Sequence, residues 1–245
     1  MCIFAQPVPS VSNTRIFVGS TGNRQVTCYA MSAELRGRGN AMILPVPGGD
    51  IRLIDMSAVP DFFDDLDSHW RQVSRGMRDL SFSAPTKSVL PIHNVGSYSV
   101  SIAPAVEDID RADPTVFGLS ADTRQTLERN YSDPRYSFVI AVLKKSGDFH
   151  PLAYSHNLAP EGLFIPTRHE GHDAVWDHSL YLVGHHQSPV KTSRWLSEVR
   201  GRSNTYRVRG APEEVNAALD TMSRLGATRM RVTGRQPNTD LWMSP

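Results

Sequence analysis

Cysteine is nearly missing from this chain. Two residues, Cys2 and Cys28, stand in 245, too few for a disulfide framework and better suited to a reducing compartment. Long apolar runs are missing as well. Phe138–Leu143 is among the longest, far below the roughly 20 residues a membrane-spanning helix needs. Neither sign of charge dominates the whole, with 26 Lys and Arg against 25 Asp and Glu, which excludes a chain built as one polyanionic or polycationic segment. The opening residues, Met1-Cys2-Ile3-Phe4-Ala5-Gln6-Pro7, lack a basic stretch followed by a long apolar one. A cytoplasmic protein, or one held within an assembled particle, is therefore expected, with no membrane contact.

Familiar catalytic signatures are absent too. There is no Gly-x-Ser-x-Gly elbow. Gly19-Ser20-Thr21-Gly22 lacks the lysine and spacing of a phosphate-binding loop, and Gly37-Arg38-Gly39 forms no dinucleotide fingerprint. These glycines read as turns. No cofactor is implied. An apolar content of 40% and a charged content of 21% describe an ordinary globular chain, long enough for a sizeable core.

What is present is a succession of short strands. Thr14–Val18 and Arg24–Met31 flank the turn residues 19–23 and read as a hairpin. Ala41–Val46 is a buried type of strand whose Pro45 calls for an edge or a bulge. Residues 60–77 read as a helix with Phe62, Phe63, Leu66, Trp70, Val73 and Met77 at helical spacing. Leu90–His93 and Tyr98–Ala103 are short strands, and Ser120 can cap a helix over 121–130. Tyr136–Leu143 is a strand, with the Lys144–Asp148 turn leading into an expected hairpin partner at Phe149–His156. Leu163–Thr167 and Leu180–Val183 continue the pattern.

The C-terminal region reads as β-α-β: Tyr206–Arg209, a helix over Ala211–Leu225 stopped by Gly226, then Thr228–Val232. The expected fold class is α+β. It comprises a mostly antiparallel, β-rich domain over residues 1–186 with two or three helices, a linker over 187–204, and a basic β-α-β appendage over 205–245.

Several segments resemble a bacterial family classed as a domain of unknown function, whose members are often secreted. The carriers are Leu44-Pro45-Val46-Pro47, Val95-Gly96-Ser97-Tyr98, the strand into a lysine-containing turn at Phe138–Lys145, His150–Tyr154, and Asp177–Gly184. Across residues 41–184 the resemblance implies a related β-rich fold and no activity. The chain departs from that family in its opening residues and in its basic C-terminal region.

Three groups of residues are candidates for a site. Cys2 would become an N-terminal nucleophile if Met1 were removed, its own α-amine serving as base, as in N-terminal-nucleophile amidohydrolases; Arg15, Asn13 and Asn40 would supply substrate and oxyanion contacts. A Met1 that stays attached blocks this chemistry, so Cys2 is expected to be a small apolar residue.

Seven of the nine histidines lie between His150 and His186. His169, His172, Asp173 and His178 are the candidate metal ligands. His169-Glu170-Gly171-His172 is one residue short of the HExxH helix, and adjacent His185 and His186 would point opposite ways on a strand, so no metal is expected.

The third group is arginine. Residues 185–245 hold 10 basic against 5 acidic side chains, and residues 1–184 hold 16 against 20. Period-2 alternation would place Arg207, Arg209, Arg229 and Arg231 on one face. That face suits an acidic protein partner, self-assembly, or the acidic part of the same chain. Nucleic acid is less favoured because no aromatic residue interleaves with the arginines. The reading the sequence supports is a non-catalytic structural or binding protein, a component of a large assembly such as a virion.

Overall fold

A computed structural model describes residues 3–36, 40–70, 92–96, 98–112, 118–171, 175–184, 196–200 and 206–243, the backbone alone in 196–200. The strands in chain order are β1 (Ile3–Phe4), β2 (Ser10–Thr21), β3 (Arg24–Glu34), β4 (Asn40–Pro47) and β5 (Arg52–Ile54). After helix α1 (Phe62–Ser68) come β6 (His93–Val95), β7 (Tyr98–Ala103), a 3₁₀ helix (Val106–Arg111) and helix α2 (Ala121–Tyr131). Then follow β8 (Tyr136–Leu143), β9 (Gly147–Asn157), β10 (Leu163–Ile165), β11 (Val175–Val183) and β12 (Leu196–Arg200). Helix α3 (Glu213–Leu225), β13 (Ala227–Arg235) and β14 (Leu241–Met243) complete the chain.

Seven strands form one sheet in the order β12-β13-β11-β2-β3-β9-β5, and five form a second in the order β1-β4-β8-β7-β6. Every pairing in these sheets is antiparallel except β11 against β2. The sheets pack face to face around Tyr29, Leu44, Val139, Leu152, Leu180 and Met230. The outer face of the larger sheet carries α1 and α3 over Phe17, Cys28, Tyr181 and Val183. The outer face of the smaller sheet carries α2 and the 3₁₀ helix over Ile43, Phe138 and Ile140. Four layers result, consistent with the α+β class.

Local chemistry accounts for several elements. Thr21 pairs with Arg24, leaving a two-residue loop whose Gly22 has φ 58°, the sign that mirror-image hairpin turns require. The Ser120 side chain accepts a hydrogen bond from the Thr123 amide at 3.2 Å and caps α2. Pro45 pairs with Phe138 on one side, while the described pairing of β1 on the other side reaches only Met42 and Ile43. Its missing N–H therefore falls where β4 is locally an edge.

Three expectations need correction. Tyr136–Leu143 and the following strand are not a hairpin: β8 pairs with β4 and β7, whereas β9 pairs with β3 and β5. Both edges of each strand are already occupied, so the short turn crosses from one sheet to the other. Helix 60–77 is observed as Phe62–Ser68; Trp70 is buried just beyond it, and Val73 and Met77 lie outside the described residues.

Tyr206–Arg209 is not a strand. Its alternation arises because Tyr206 and Val208 pack among α1 and α3. The strand preceding α3 is instead β12, inside the stretch expected to be a linker, and it pairs antiparallel with β13. β13 pairs in turn with β11 over nine residues, so this C-terminal β-α-β unit is continuous with the larger sheet.

Candidate binding groove

The outer face of the larger sheet changes character along its strands. Register places Arg15, Ser179 and Arg231 in one row across β2, β11 and β13, and Phe17, Tyr181 and Arg229 in the next. The row after that, Gly19, Val183 and Ala227, lies beneath α3. Where α1 and α3 do not cover the face, a groove of about 680 Å³ opens, walled by these strands, the start of α1 and the first part of β9.

Its charges are organised in pairs. Arg15 donates to Asp64 at 2.6 Å and lies 5.2 Å from the centre of the Phe63 ring. Arg229 meets Asp67 at 3.1 Å, and the Tyr181 hydroxyl donates to the same carboxylate at 2.8 Å. Burial and the neighbouring Asp67 charge hold the Tyr181 hydroxyl above its ordinary pKa. Arg231 lies 3.4 Å from Asp177, which also accepts from the Asn13 amide at 3.4 Å.

Two bulges shape the floor. The β2–β3 register shifts between Ser12 and Arg15, where Asn13 takes φ 50°, a region that non-glycine residues rarely occupy. The β3–β9 register shifts between Tyr29 and Met31, where His150 and Pro151 lie opposite Ala30. Bulges re-aim side chains and end regular pairing, and here residues of both bulged stretches line the groove. Burial draws the His150 pKa below its ordinary value, and its Nδ1 faces the Pro151 carbonyl at 3.0 Å. The Tyr98 hydroxyl donates to the His150 carbonyl at 2.7 Å. A methyl group on Gly96, whose φ is 56°, would fall 2.2 Å from His150 Nε2. The Val95–Tyr98 and His150–Tyr154 segments noted in the sequence thus meet in space.

The four arginines separate into two pairs. Arg229 and Arg231 lie on β13 in the groove, engaged by carboxylates of the same chain. Arg207 and Arg209 occupy the irregular segment before α3, where Arg207 Nε is 3.7 Å from Asp220 and the Arg207 carbonyl lies 3.1 Å from His69 Nε2. The acidic part of the chain therefore meets two of these arginines, Arg229 through Asp67 and Arg231 through Asp177.

The other candidates are dispersed. Cys2 lies outside the described residues. Arg15 sits in the groove, while Asn40 opens β4 in the opposite sheet. The Asn40 amide is committed to the Gln6 backbone, donating to its carbonyl at 2.9 Å and accepting from its amide at 3.1 Å. Asn13 joins Arg15 in the groove rather than Asn40. Cys28 is fully buried, and burial raises its thiol far above the usual range.

Of the histidine cluster, His172, Asp173, His185 and His186 lie outside the described residues. His169 is buried, with its amide donating to Asn238 at 2.9 Å. His178 is buried on β11 beside the Trp176 ring at 4.6 Å. The Glu170 carboxylate accepts from Thr126 at 2.6 Å and from the Gly171 amide at 3.1 Å. The Glu170 carbonyl accepts from the Phe4 amide at 3.1 Å, so this stretch supports β1 as extended chain and not as a zinc-binding helix. Among the described residues no cluster of three or more metal-ligating side chains occurs, and no helix is long and apolar enough to cross a membrane.

The groove went unread in the sequence because its walls come from segments far apart in the chain. The acidic run Asp61, Asp64, Asp65 and Asp67 carried half of the signal, but it reads as the solvated start of a helix until β13 is placed opposite.

The architecture is that of an α+β sandwich, two β-sheets between outer helices, with a polar groove on one face. Among solved structures, that of baculovirus P35 is similar, with a TM-score of 0.51 and 12% identity over 98% of this chain and 98% of that one. At that identity the likeness concerns the fold. No protein-family model matches the sequence, and no curated protein matches it.

Proposed function

We propose that this protein is a non-catalytic binding protein that presents the groove beside α1 to a protein partner, as part of a larger assembly such as a virion. The observation that carries this reading is the groove itself: about 680 Å³, open, and lined by charged side chains held in place by one another. Small-molecule sites are mostly apolar with a few converging polar groups. This surface has the opposite composition and resembles the polar part of a protein interface. Among the described residues, Cys28 and His156 are buried in the interior, and Glu170 is engaged by Thr126 and the Gly171 amide. The fold likeness to a baculovirus protein favours a viral setting.

The test is selection of peptides from a random displayed library against the wild-type chain, with counter-selection on Ser179→Trp. Ser179 lies between Arg15 and Arg231 in the register, so an indole there fills the groove without removing a charge. Enriched peptides that bind the wild type and lose binding to Ser179→Trp are expected. Failure to enrich any peptide sensitive to that substitution would overturn the reading.

A further inference from the structure

The charges of the groove are layered. Arg15 and Arg229 lie low, each with a side chain 20% exposed, and Asp67 beside them is 13% exposed. Asp64, by contrast, is 69% exposed and Asp177 is 45% exposed, and Asp61 and Asp148 are exposed as well. Lys145 and Arg231 are the basic residues at the same height, and Arg231 is already paired with Asp177. An approaching molecule therefore meets mostly carboxylates, of which Asp64 is fixed from beneath by Arg15 and Asp177 is paired at the rim with Arg231.

We infer that the occupant of the groove is a basic, extended segment of a partner protein, an inference that rests on the groove being the binding surface. Charge complementarity sets the sign. Carboxylates at the mouth repel an acidic chain and attract lysine or arginine side chains, whose arrival adds a counter-charge to exposed Asp61 and to exposed Asp148, which already accepts a hydrogen bond from Ser32. An acidic partner would meet Lys145 but would have to displace Asp64 and Asp177 before reaching Arg15 and Arg231.

The sheet sets the length. The groove runs across the strands from β13 through β11, β2 and β3 to β9. At about 4.8 Å per step that is roughly 19 Å, the span of about six residues of extended chain. Asp177 on β11 and Asp148 on β9 stand three steps apart, about 14 Å, which matches the spacing of residues i and i+4 on one side of an extended peptide. Two basic residues four positions apart are the pattern that fits.

The experiment uses three synthetic peptides of one length in a neutral polar background. They carry two arginines four positions apart, two glutamates at the same positions, or neither. Binding to the full chain is read by fluorescence anisotropy at low and at physiological salt. The arginine peptide should bind most tightly, with an advantage that shrinks as salt rises. Asp148→Asn with Asp177→Asn should reduce that advantage by up to about tenfold, as expected for two exposed charge pairs, and leave the neutral peptide unaffected. Equal binding of all three peptides, or preference for the glutamate peptide, would overturn the inference and leave the groove standing as a binding surface. Only the library selection, by yielding no groove-dependent peptide, removes both.

Discussion

The two ends of one sheet face behave as different materials. On β2, β11 and β13 the same outward-pointing positions run from Arg15, Ser179 and Arg231 to Gly19, Val183 and Ala227 within two register rows. At the apolar end, α1 and α3 complete a core with Phe62, Phe63, Leu66 and Trp70. At the charged end nothing among the described residues covers the face, and ion pairs replace packing. Burial at the first end is worth kilocalories per side chain, whereas rim ion pairs at the second, such as Arg231 with Asp177, are worth little. The helices thus supply stability, and the groove is left available for recognition.

The largest effect that sharpens this contrast is at Trp70. It is 6% exposed, with its ring 5.7 Å from Tyr181 and 5.2 Å from Tyr206. Trp70→Ala should destabilise the fold by roughly 3–5 kcal/mol in urea unfolding, and a neutral result would mean that the apolar end is not a core.

Next comes pH. His156 is buried on the opposite, inward face of the sheet, and desolvation lowers its pKa from 6.5 to about 4. Its Nδ1 lies 2.8 Å from the Asn157 carbonyl, and Arg24 opposes its charge. The neutral ring is favoured in the folded state, so its contribution is complete above pH 6.5. Between 6.5 and about 4 the unfolded chain binds the extra proton, and stability falls by roughly 3 kcal/mol in total. His156→Gln should flatten that slope in denaturation curves taken across this range, and an unchanged slope would assign the acid sensitivity to another group.

Tyr181 sits at the border between the two ends. Tyr181→Phe keeps the ring against Phe63 and Trp70 but deletes the hydrogen bond to Asp67. A loss of about 1 kcal/mol is expected, smaller than at Trp70 and larger than anywhere on the groove rim. Arg231→Gln, which removes a 59%-exposed partner of Asp177, should change stability by less than about 1 kcal/mol. A greater loss at Arg231 than at Tyr181 would reverse the comparison.

Much of the fold was legible because period and capping act locally. Tyr98–Ala103 and Tyr136–Leu143 are strands with the expected bounds. Ser120 caps its helix, and Gly226 ends α3 with φ 93°. Alternation reports which side chains are buried, however, and not whether the backbone pairs. Tyr206–Arg209 alternates because Tyr206 and Val208 fill a helix interface, with no strand needed. Partner choice was illegible as well: β8 and β9 are both largely buried strands joined by a short turn, yet they belong to different sheets. The groove needed both kinds of information, since Arg15, Asp148, Asp177 and Arg231 meet only once the strand order is fixed.

The parallel pairing of β2 with β11 has a consequence in time. Thr14 faces His178 across that pair, so the middle of the larger sheet joins residues about 160 positions apart. Synthesis at roughly 5–20 residues per second puts about ten to thirty seconds between the two strands leaving the ribosome. During that interval β2 can pair with β3, and β3 in turn with β9, while the other edge of β2, bearing Ile16, Phe17 and Val18, stays open to association with neighbouring chains. The nascent protein is therefore most prone to aggregation before β11 emerges, and a chaperone that shields that single edge should raise its yield more than any stabilising change in the helices.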